Sequence, residues 1–208
     1  RSVQIATTAA IIATVAATMA AIATTRTKPY RGLTAKYAFI NQPLMIPEIV
    51  TAVALLIVFS RIKVATGYTG LGYLLAAHTA FCIPFAYMPI RARLQGMNLS
   101  LEQAGADLYA TPWRVFRHVT LPLLLPTILI TTMLRMIWTA NYMDLIMIMT
   151  GGGPGYSSLT VPLHAYYMAY KRLDFGYGAT IAIVQVAILA AAIVLYLRQL
   201  RRNEVMVQ

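Results

Sequence analysis

The chain alternates long apolar stretches with short polar connections. Five stretches stand out: Val3–Thr25, Tyr37–Ser60, Tyr73–Ile90, Leu121–Thr150 and Gly178–Leu197. Each stretch has at least the length, about 18 residues, that an apolar helix needs to cross a bilayer. Five such segments leave almost no polar surface to cover them in water. The pattern therefore predicts an all-α membrane protein, a polytopic helical bundle, rather than a soluble protein with buried core helices.

Composition supports this class of protein. Hydrophobic residues make up 59% of the 208 residues and charged residues 11%, whereas a soluble domain carries about 25% charged residues. Cys82 is the only cysteine, so a disulfide framework and a cysteine-based metal site are excluded. Because Cys82 lies in an apolar stretch, we expect a small core residue.

Two of the five stretches are predicted to be irregular. The second carries Asn41, Gln42, Pro43, Pro47 and Glu48. Proline interrupts a helix, so a kink or an unwound turn is expected there. The stretch Leu121–Thr150 would reach about 45 Å as one straight helix, well past a hydrocarbon core of about 30 Å. We expect it to tilt, break or leave the membrane.

The first stretch is rich in alanine and threonine. Alanines recur every four residues, in the pair Ala6 and Ala10 and in the series Ala13, Ala17 and Ala21. This spacing lets two helix backbones approach closely inside a membrane. The pattern favours contact with another helix over exposure to lipid.

Basic residues indicate the orientation of the spans. If the connections alternate sides, eleven Lys and Arg residues fall on one side: Arg26, Lys28, Arg31, Lys36, Arg91, Arg93, Arg114, Arg117, Arg198, Arg201 and Arg202. The other side receives five: Arg1, Arg61, Lys63, Lys171 and Arg172. Cytoplasmic connections are the basic ones, so residues 91–120 are predicted to be cytoplasmic. The net charge of +11 then reflects topology and contact with anionic lipid rather than nucleic-acid binding.

The polar run LEQAGADLYATPWRVFRHVTLP, residues 101–122, separates two apolar stretches. Ser100 followed by Gln103 predicts one helix start, and Thr111 followed by Pro112 predicts a second. Two short helices joined at a bend make a compact projection that suits the groove of a partner protein.

This run resembles the cytoplasmic coupling loop of permease subunits of bacterial ABC importers. The family motif reads Glu-Ala-Ala, a spacer, Asp, Gly-Ala, a second spacer and Leu-Pro. The matching positions are Glu102 or Gln103, Ala104, Asp107, Ala110, Phe116, Val119, Leu121 and Pro122. Glu102 is one residue out of register, and Tyr109 stands where the family usually has glycine.

The resemblance implies a type I importer permease fold. It implies one transmembrane permease domain, 1–208, with a cytoplasmic coupling loop at 91–120 and a first helix missing before the five spans. The residues implied to couple to an ATPase are Glu102, Gln103, Ala104, Asp107, Tyr109, Ala110, Phe116, Leu121 and Pro122. Glu102 would be an anchoring carboxylate at that interface.

The resemblance also implies partners and a location. The partners are a second permease subunit, two cytoplasmic ATPase subunits, an extracytoplasmic substrate-binding protein and the lipid bilayer of the bacterial cytoplasmic (inner) membrane. No cofactor is expected in this chain, since ATP and Mg²⁺ would bind to the ATPase subunits. The chain is therefore not expected to be an enzyme. Its TGGGPGYSS segment lacks the Lys-Ser/Thr ending of a phosphate-binding loop.

A candidate substrate path follows from charge and aromatic positions. Arg135 lies in mid-stretch, where a charge costs at least about 2.5 kcal/mol unless it faces protein or water. At about 100° per residue, Trp138 and Tyr142 share its helix face, with Asn141 at the edge and Asp144 opposite. Aromatic rings stack on sugars, and Asn and Arg donate to hydroxyl groups. The predicted path comprises Arg135, Trp138, Asn141, Tyr142, Asp144 and Glu48.

Other interpretations of these residues stay open. Trp138 and Tyr142 are equally well explained by packing between helices, and Arg135 by a structural role holding a partner loop. His78 and Glu48 are functional candidates as ionisable groups within spans. The alternative is that each bonds to a neighbouring helix at a proline kink.

The likeness to subfamilies changes along the chain. Residues from about 41 to 126 resemble polyamine-importer permeases, in stretches such as MIPEIV and HTAFCIPFAY. From about Leu134 onward, LRMIWTANYMDLIMIMTGGGPG is similar to permeases for disaccharides and glycerol phosphate. A polyamine would need carboxylates, and Arg135 would repel it. The expected substrate is a carbohydrate or related polyol. A polyamine is the alternative, and a passive membrane channel is a weaker one.

Overall fold

The computed structural model describes residues 2–28, 30–68 and 70–204, with side chains described as far as residue 198. All regular structure in these residues is helical. The elements are α1 Ser2–Thr25, α2 Leu33–Met45, α3 Glu48–Thr66, α4 Leu71–Gly96, α5 Leu99–Asp107, α6 Pro112–Val115, α7 Leu121–Asn141, α8 Asp144–Met149, α9 Val161–Tyr166 and α10 Phe175–Glu204, with π-helical turns at Phe116–Thr120 and Tyr167–Lys171.

Within the described residues, five helices are long and apolar enough to cross a membrane: Ser2–Thr25, Glu48–Thr66, Leu71–Gly96, Pro112–Asn141 and Phe175–Arg198. The fourth combines α6, the first π-helical turn and α7 in one continuous rod. The predicted fold class and the five spans are confirmed.

The second span begins later than predicted. Residues 37–45 belong to the separate helix α2, so the predicted start at Tyr37 was wrong. Ile46 and Pro47 are extended, with ψ of 135° and 136°, and separate α2 from α3. Proline has no N–H to donate, and its ring disfavours helical backbone in the preceding residue. The expected interruption of this stretch is therefore confirmed.

The fourth apolar stretch also breaks. Helix α7 ends at Asn141, where Tyr142 takes an extended conformation with ψ of 124°. Helix α8 then begins at Asp144. One straight helix from Leu121 to Thr150 does not form, as its excess length over the bilayer predicted.

Helix α1 is the centre of the bundle and packs against α4 and α7. One face of α1 is fully buried at Ala9, Ala10, Ala13, Ala17 and Ala21. Small side chains allow this close approach, which yields dispersion contacts in a membrane where apolar helices gain little from leaving lipid. The predicted contact of the alanine series with another helix is found within this chain.

Hydroxyl groups connect the same three helices. The Thr132 hydroxyl on α7 donates to the Thr14 hydroxyl on α1 across 3.1 Å. The hydroxyl groups of Thr24 on α1 and Tyr87 on α4 are 2.8 Å apart. These bonds fix the register of α1 against both neighbours, because each joins one position on α1 to one position on the partner helix.

Helices α3 and α10 lie at the periphery. Few of their side chains are buried, and the exposed ones include Ile57 and Val58 on α3 and Ile183 and Val184 on α10. Such apolar surfaces are stable in hydrocarbon or against another membrane helix. The bundle thus has a packed core of three spans and two loosely attached spans.

We expect Ala17→Leu to lower the stability of the bundle. Ala17 is fully buried between α1 and its neighbours, and overpacking a tight core costs about 1–3 kcal/mol. Ala23→Leu, on an exposed position of the same helix, is the matched control and should change stability by less than about 0.5 kcal/mol. Thermal unfolding in detergent measures both, and equal melting temperatures would contradict the packing described here.

Candidate functional site

The polar run between the third and fourth spans folds as two short helices at an angle, which we call the elbow: α5, the connection 108–111, and α6 with its π-helical turn. Asn98 caps α5, since its Oδ1 accepts a hydrogen bond from the Ser100 N–H at 3.0 Å. The predicted helix start at Ser100 was therefore wrong by two residues. The predicted start at Thr111 and Pro112 is confirmed, because the Thr111 Oγ1 accepts from the Arg114 N–H at 3.4 Å. Helix α4 continues to Gly96, so residues 91–96 of the predicted loop are helical.

The bend of the elbow depends on a left-handed residue. Tyr109 has φ of +59°, a conformation that costs a non-glycine residue about 1–2 kcal/mol. This conformation gives a physical reason for the glycine that the motif usually has here. On the inner side of the bend, a Cβ on Gly105 would lie 3.2 Å from Val115 Cγ2, so α5 and α6 pack closely.

Glu102 holds the elbow to the bundle. Its carboxylate accepts hydrogen bonds from Arg26 Nε and Nη2, each at 2.9 Å, and from the Thr120 hydroxyl at 3.0 Å. Arg26 Nη1 also donates to the Leu94 carbonyl at 3.1 Å. A two-pronged guanidinium–carboxylate pair of this kind is strong and directional. It ties α5 to the ends of α1 and α4 and to the start of α7.

The pair is largely shielded from water, with 18% of each side chain exposed. Glu102 therefore contacts its own chain, and its predicted contact with an ATPase stays a prediction. Sequence reasoning missed Arg26 as its partner because the two residues are 76 positions apart.

The outer surface of the elbow is apolar at its tip. Leu108 is 81% exposed, Tyr109 96% and Trp113 64%. The other residues predicted for coupling differ in their exposure. Gln103, Ala104, Asp107 and Pro122 are exposed, whereas Ala110, Phe116 and Leu121 are partly buried. The arrangement presents a projecting apolar knob with a polar margin, which suits insertion into a cleft of another protein.

Arg135 lies deep between α4 and α7, with 6% of its surface exposed. Its guanidinium carbon lies 4.2 Å from the ring centre of Phe85 and 5.0 Å from that of Trp138. Both rings face the cation, an attractive arrangement that strengthens when water is excluded. These side chains line a cavity of about 430 Å³ that is open at the surface beside the half-exposed Leu134 and Trp138. We call it the Arg135 cavity.

Tyr142 and Glu48 form a second cluster. The Tyr142 hydroxyl donates to Glu48 Oε2 at 2.6 Å, joining the start of α3 to the break after α7. The Tyr142 ring stacks on Phe81 at 5.8 Å and meets the edge of His78 at 5.9 Å. These are the contacts that the packing alternative expects for Tyr142. They also give Glu48 a partner on a neighbouring element.

The structure brings Arg135 and Trp138 together but places two other predicted path residues elsewhere. The Gln185 side chain on α10 donates to Asn141 Oδ1 at 2.9 Å, so Asn141 faces α10. Asp144 is exposed at the start of α8. Asn141 still belongs to α7, and at 100° per residue it lies about 120° around the helix from Arg135, too far to share its face. Asp144 comes after the break and belongs to α8.

Sequence reasoning missed Phe81 and Phe85 on α4. Their four-residue spacing places them on one helix face, but the pattern did not indicate that this face meets α7. Cys82 between them is buried, as expected. In the part of the chain that the structure describes, no group of three or more His, Cys, Asp or Glu side chains could hold a metal ion.

Curated relatives are transport permeases. The chain is 31% identical over 161 residues to the putrescine transport system permease protein PotI of Escherichia coli (strain K12), covering 76% of this chain and 57% of PotI. It is 35% identical over 120 residues to the sulfoquinovosyl glycerol transport system permease protein SmoG of Agrobacterium fabrum (strain C58), covering 58% of this chain and 39% of SmoG. The chain thus spans about half the length of these relatives.

Solved structures share the fold. A bacterial ABC transporter involved in the import of the acidic polysaccharide alginate matches with a TM-score of 0.77 at 13% identity, over 97% of this chain and 78% of that one. The MetNI methionine ABC transporter in an inward-facing conformation matches with a TM-score of 0.73 at 21% identity, over 100% of this chain and 93% of that one.

The family comparison covers nearly the whole chain. Residues 13–203 match the family described as "Binding-protein-dependent transport system inner membrane component", a range that includes the elbow, the Arg135 cavity and four complete spans. The chain belongs to this family of transport permeases.

Proposed function

We propose that this chain forms half of the translocation path of an ATP-driven importer for a carbohydrate or related polyol. The observation that carries the proposal is the elbow, in a chain of this permease family. Its exposed apolar tip lies at the basic end of the bundle, where the positive-inside rule puts the cytoplasm. A second permease subunit would complete the path, and an extracytoplasmic binding protein would deliver the substrate.

Movement would pass from the elbow to the path through one helix. Two ATPase subunits would bind the elbows of the permease pair. These subunits would also supply the energy, because ATP and Mg²⁺ would bind to them and not to this chain. The rod Pro112–Asn141 is continuous from the elbow to the Arg135 cavity. A rigid shift at its cytoplasmic end therefore moves the wall of the cavity, as expected for rocking of two membrane halves.

The Arg135 cavity supports a carbohydrate over a polyamine. Trp138 supplies an aromatic surface for the apolar face of a sugar ring, and Arg135 donates hydrogen bonds. A polyamine would meet a buried positive charge there, while Glu48 is bonded to Tyr142. The polyamine alternative is kept because relatives include a putrescine permease. In that case Glu48 and Asp144 would be the acidic path residues.

Uptake by the reconstituted importer tests the proposal. Proteoliposomes containing this chain, its partner permease and the ATPase subunits would be given the binding protein and ATP. Labelled sugars and labelled putrescine are then compared. We expect ATP-dependent uptake of a sugar and not of putrescine. The reverse result would establish the polyamine alternative, and uptake that persists without the ATPase subunits would indicate a channel.

Charge reversal at Glu102 tests how the elbow is held. Glu102→Arg places two guanidinium groups against each other, so we expect uptake-coupled ATP hydrolysis to fall at least about ten-fold, equivalent to about 1.4 kcal/mol, with membrane insertion unchanged. Exchanging the pair, Arg26→Glu with Glu102→Arg, should restore much of the activity.

Asp107→Arg is the matched control, because Asp107 is exposed on the same short helix. We expect it to reduce coupling as well, because it changes the surface that would meet the ATPase. Arg26→Glu should not restore the activity of this variant. If Arg26→Glu restored the activity of both Glu102→Arg and Asp107→Arg, or of neither, the assignment of Glu102 as the residue that positions the elbow would be contradicted.

Substitution of Tyr109 separates backbone strain from surface contact. Tyr109→Gly and Tyr109→Ala both remove the exposed ring, so we expect both to weaken binding of the purified ATPase subunit. Only glycine relieves the left-handed conformation, so the glycine variant should be more stable than the alanine variant by about 1 kcal/mol. Equal melting temperatures would contradict the strain, and unchanged ATPase affinity would contradict a contact through the ring.

A further inference from the structure

Arg135 is a buried cation without an anionic partner in the described part of this chain. Its Nη2 donates only to Cys82 Sγ at 3.7 Å, a weak acceptor, and its Nε has no hydrogen-bond partner among the described residues. The remaining contacts are with the rings of Phe85 and Trp138. Aromatic rings attract a cation but accept no strong hydrogen bond from it.

The sequence has six acidic residues, and none of the five whose side chains the structure describes forms an ion pair with Arg135. Glu102 is paired with Arg26 at the cytoplasmic end of the bundle, and Glu48 accepts from Tyr142. Asp107 is in the elbow and Asp144 is exposed at the start of α8. A guanidinium keeps its charge even when buried, so the site favours an anion from outside the chain.

The Arg135 cavity has room for such an anion on a small solute. Its volume of about 430 Å³ lies within the range of about 300–1,000 Å³ typical of small-molecule sites. Most of the wall is apolar, with Pro89, Ile130 and Leu134, and the hydroxyl-bearing Thr127 and Thr131 add polar positions. One buried cation in an apolar cavity is the pattern expected for a ligand with one charged group and a larger uncharged body.

We infer that Arg135 binds an anionic group, a carboxylate, sulfonate or phosphate, carried by the imported carbohydrate. The planar guanidinium presents parallel donors that match two oxygens of such a group, and Trp138 lies beside it to stack on the sugar ring. This inference rests on the proposed importer function and narrows its substrate class from polyols in general to acidic sugars and their esters.

Ligand binding to the assembled importer tests the inference directly. Equilibrium dialysis with labelled glucuronate, inorganic sulfate and glucose compares an acidic sugar, a bare oxyanion and the neutral sugar of the same ring. We expect glucuronate to bind at least ten-fold more tightly than glucose, and sulfate to compete with it. Glucose binding equal to that of glucuronate, or no binding of either anion, would overturn the inference.

Variants then assign the binding to Arg135. Arg135→Gln should weaken glucuronate binding at least ten-fold, equivalent to about 1.4 kcal/mol, and Arg135→Lys should weaken it less, since the charge remains but the paired donors are lost. Arg61→Gln, which removes an exposed arginine on α3, is the control and should bind as the wild type does. Anion binding that survives Arg135→Gln would overturn the inference, because the anion would then be held by another part of the importer.

A measurement on the wild-type importer covers the case in which Arg135→Gln does not assemble. Phenylglyoxal modifies arginine, and mass spectrometry reads the peptide that contains Arg135. Glucuronate should protect this residue and glucose should not, whereas equal protection would contradict the inference. Failure of the importer function itself gives a different result, namely no ATP-driven uptake of any solute, whatever the binding measurements show.

Discussion

The close approach of α1 to α4 and α7 is the contact on which the rest of the molecule depends. Five fully buried alanines on α1 allow α4 and α7 to pack closely against it: Ala9, Ala10, Ala13, Ala17 and Ala21. In lipid this packing and a few hydroxyl bonds replace the hydrophobic driving force of a soluble core. The ends of α1 and α4 next to the elbow are thereby held together. Arg26 is thus placed where it meets Glu102, and the elbow is attached to a rigid base.

The Arg26–Glu102 pair changes the role that we infer for the acidic residue of the motif. A carboxylate near the start of a coupling loop invites assignment to the partner interface. Here the geometry assigns it to the chain itself, and the outward surface is left to Leu108, Tyr109 and Trp113. Recognition of the partner would then rest on apolar contact area and the shape of the bend, with charge fixing the angle at which the elbow is presented.

Patterns that repeat along one helix were predictable, and contacts between distant segments were not. Apolar length gave the five spans, the prolines gave the interruption before Glu48, and the alanine spacing gave the buried face of α1. The Arg26–Glu102 pair and the position of Phe85 beside Arg135 each join residues far apart in sequence, which periodicity cannot indicate. The angular count placed Trp138 correctly, but it does not apply to Tyr142 and Asp144, because α7 ends at Asn141.

In the proposed importer, the helical run from Pro112 to Asn141, which includes a π-helical turn and Pro126, would act as a lever. Fifteen residues separate Thr120 from Arg135 in the sequence, which corresponds to about 22 Å along a helix axis. A tilt of about 10° at the elbow end would therefore move the guanidinium sideways by about 4 Å, given that rise per residue. That stroke exceeds the length of a hydrogen bond. Binding and release of a solute would then correspond to two tilt angles of a single helix.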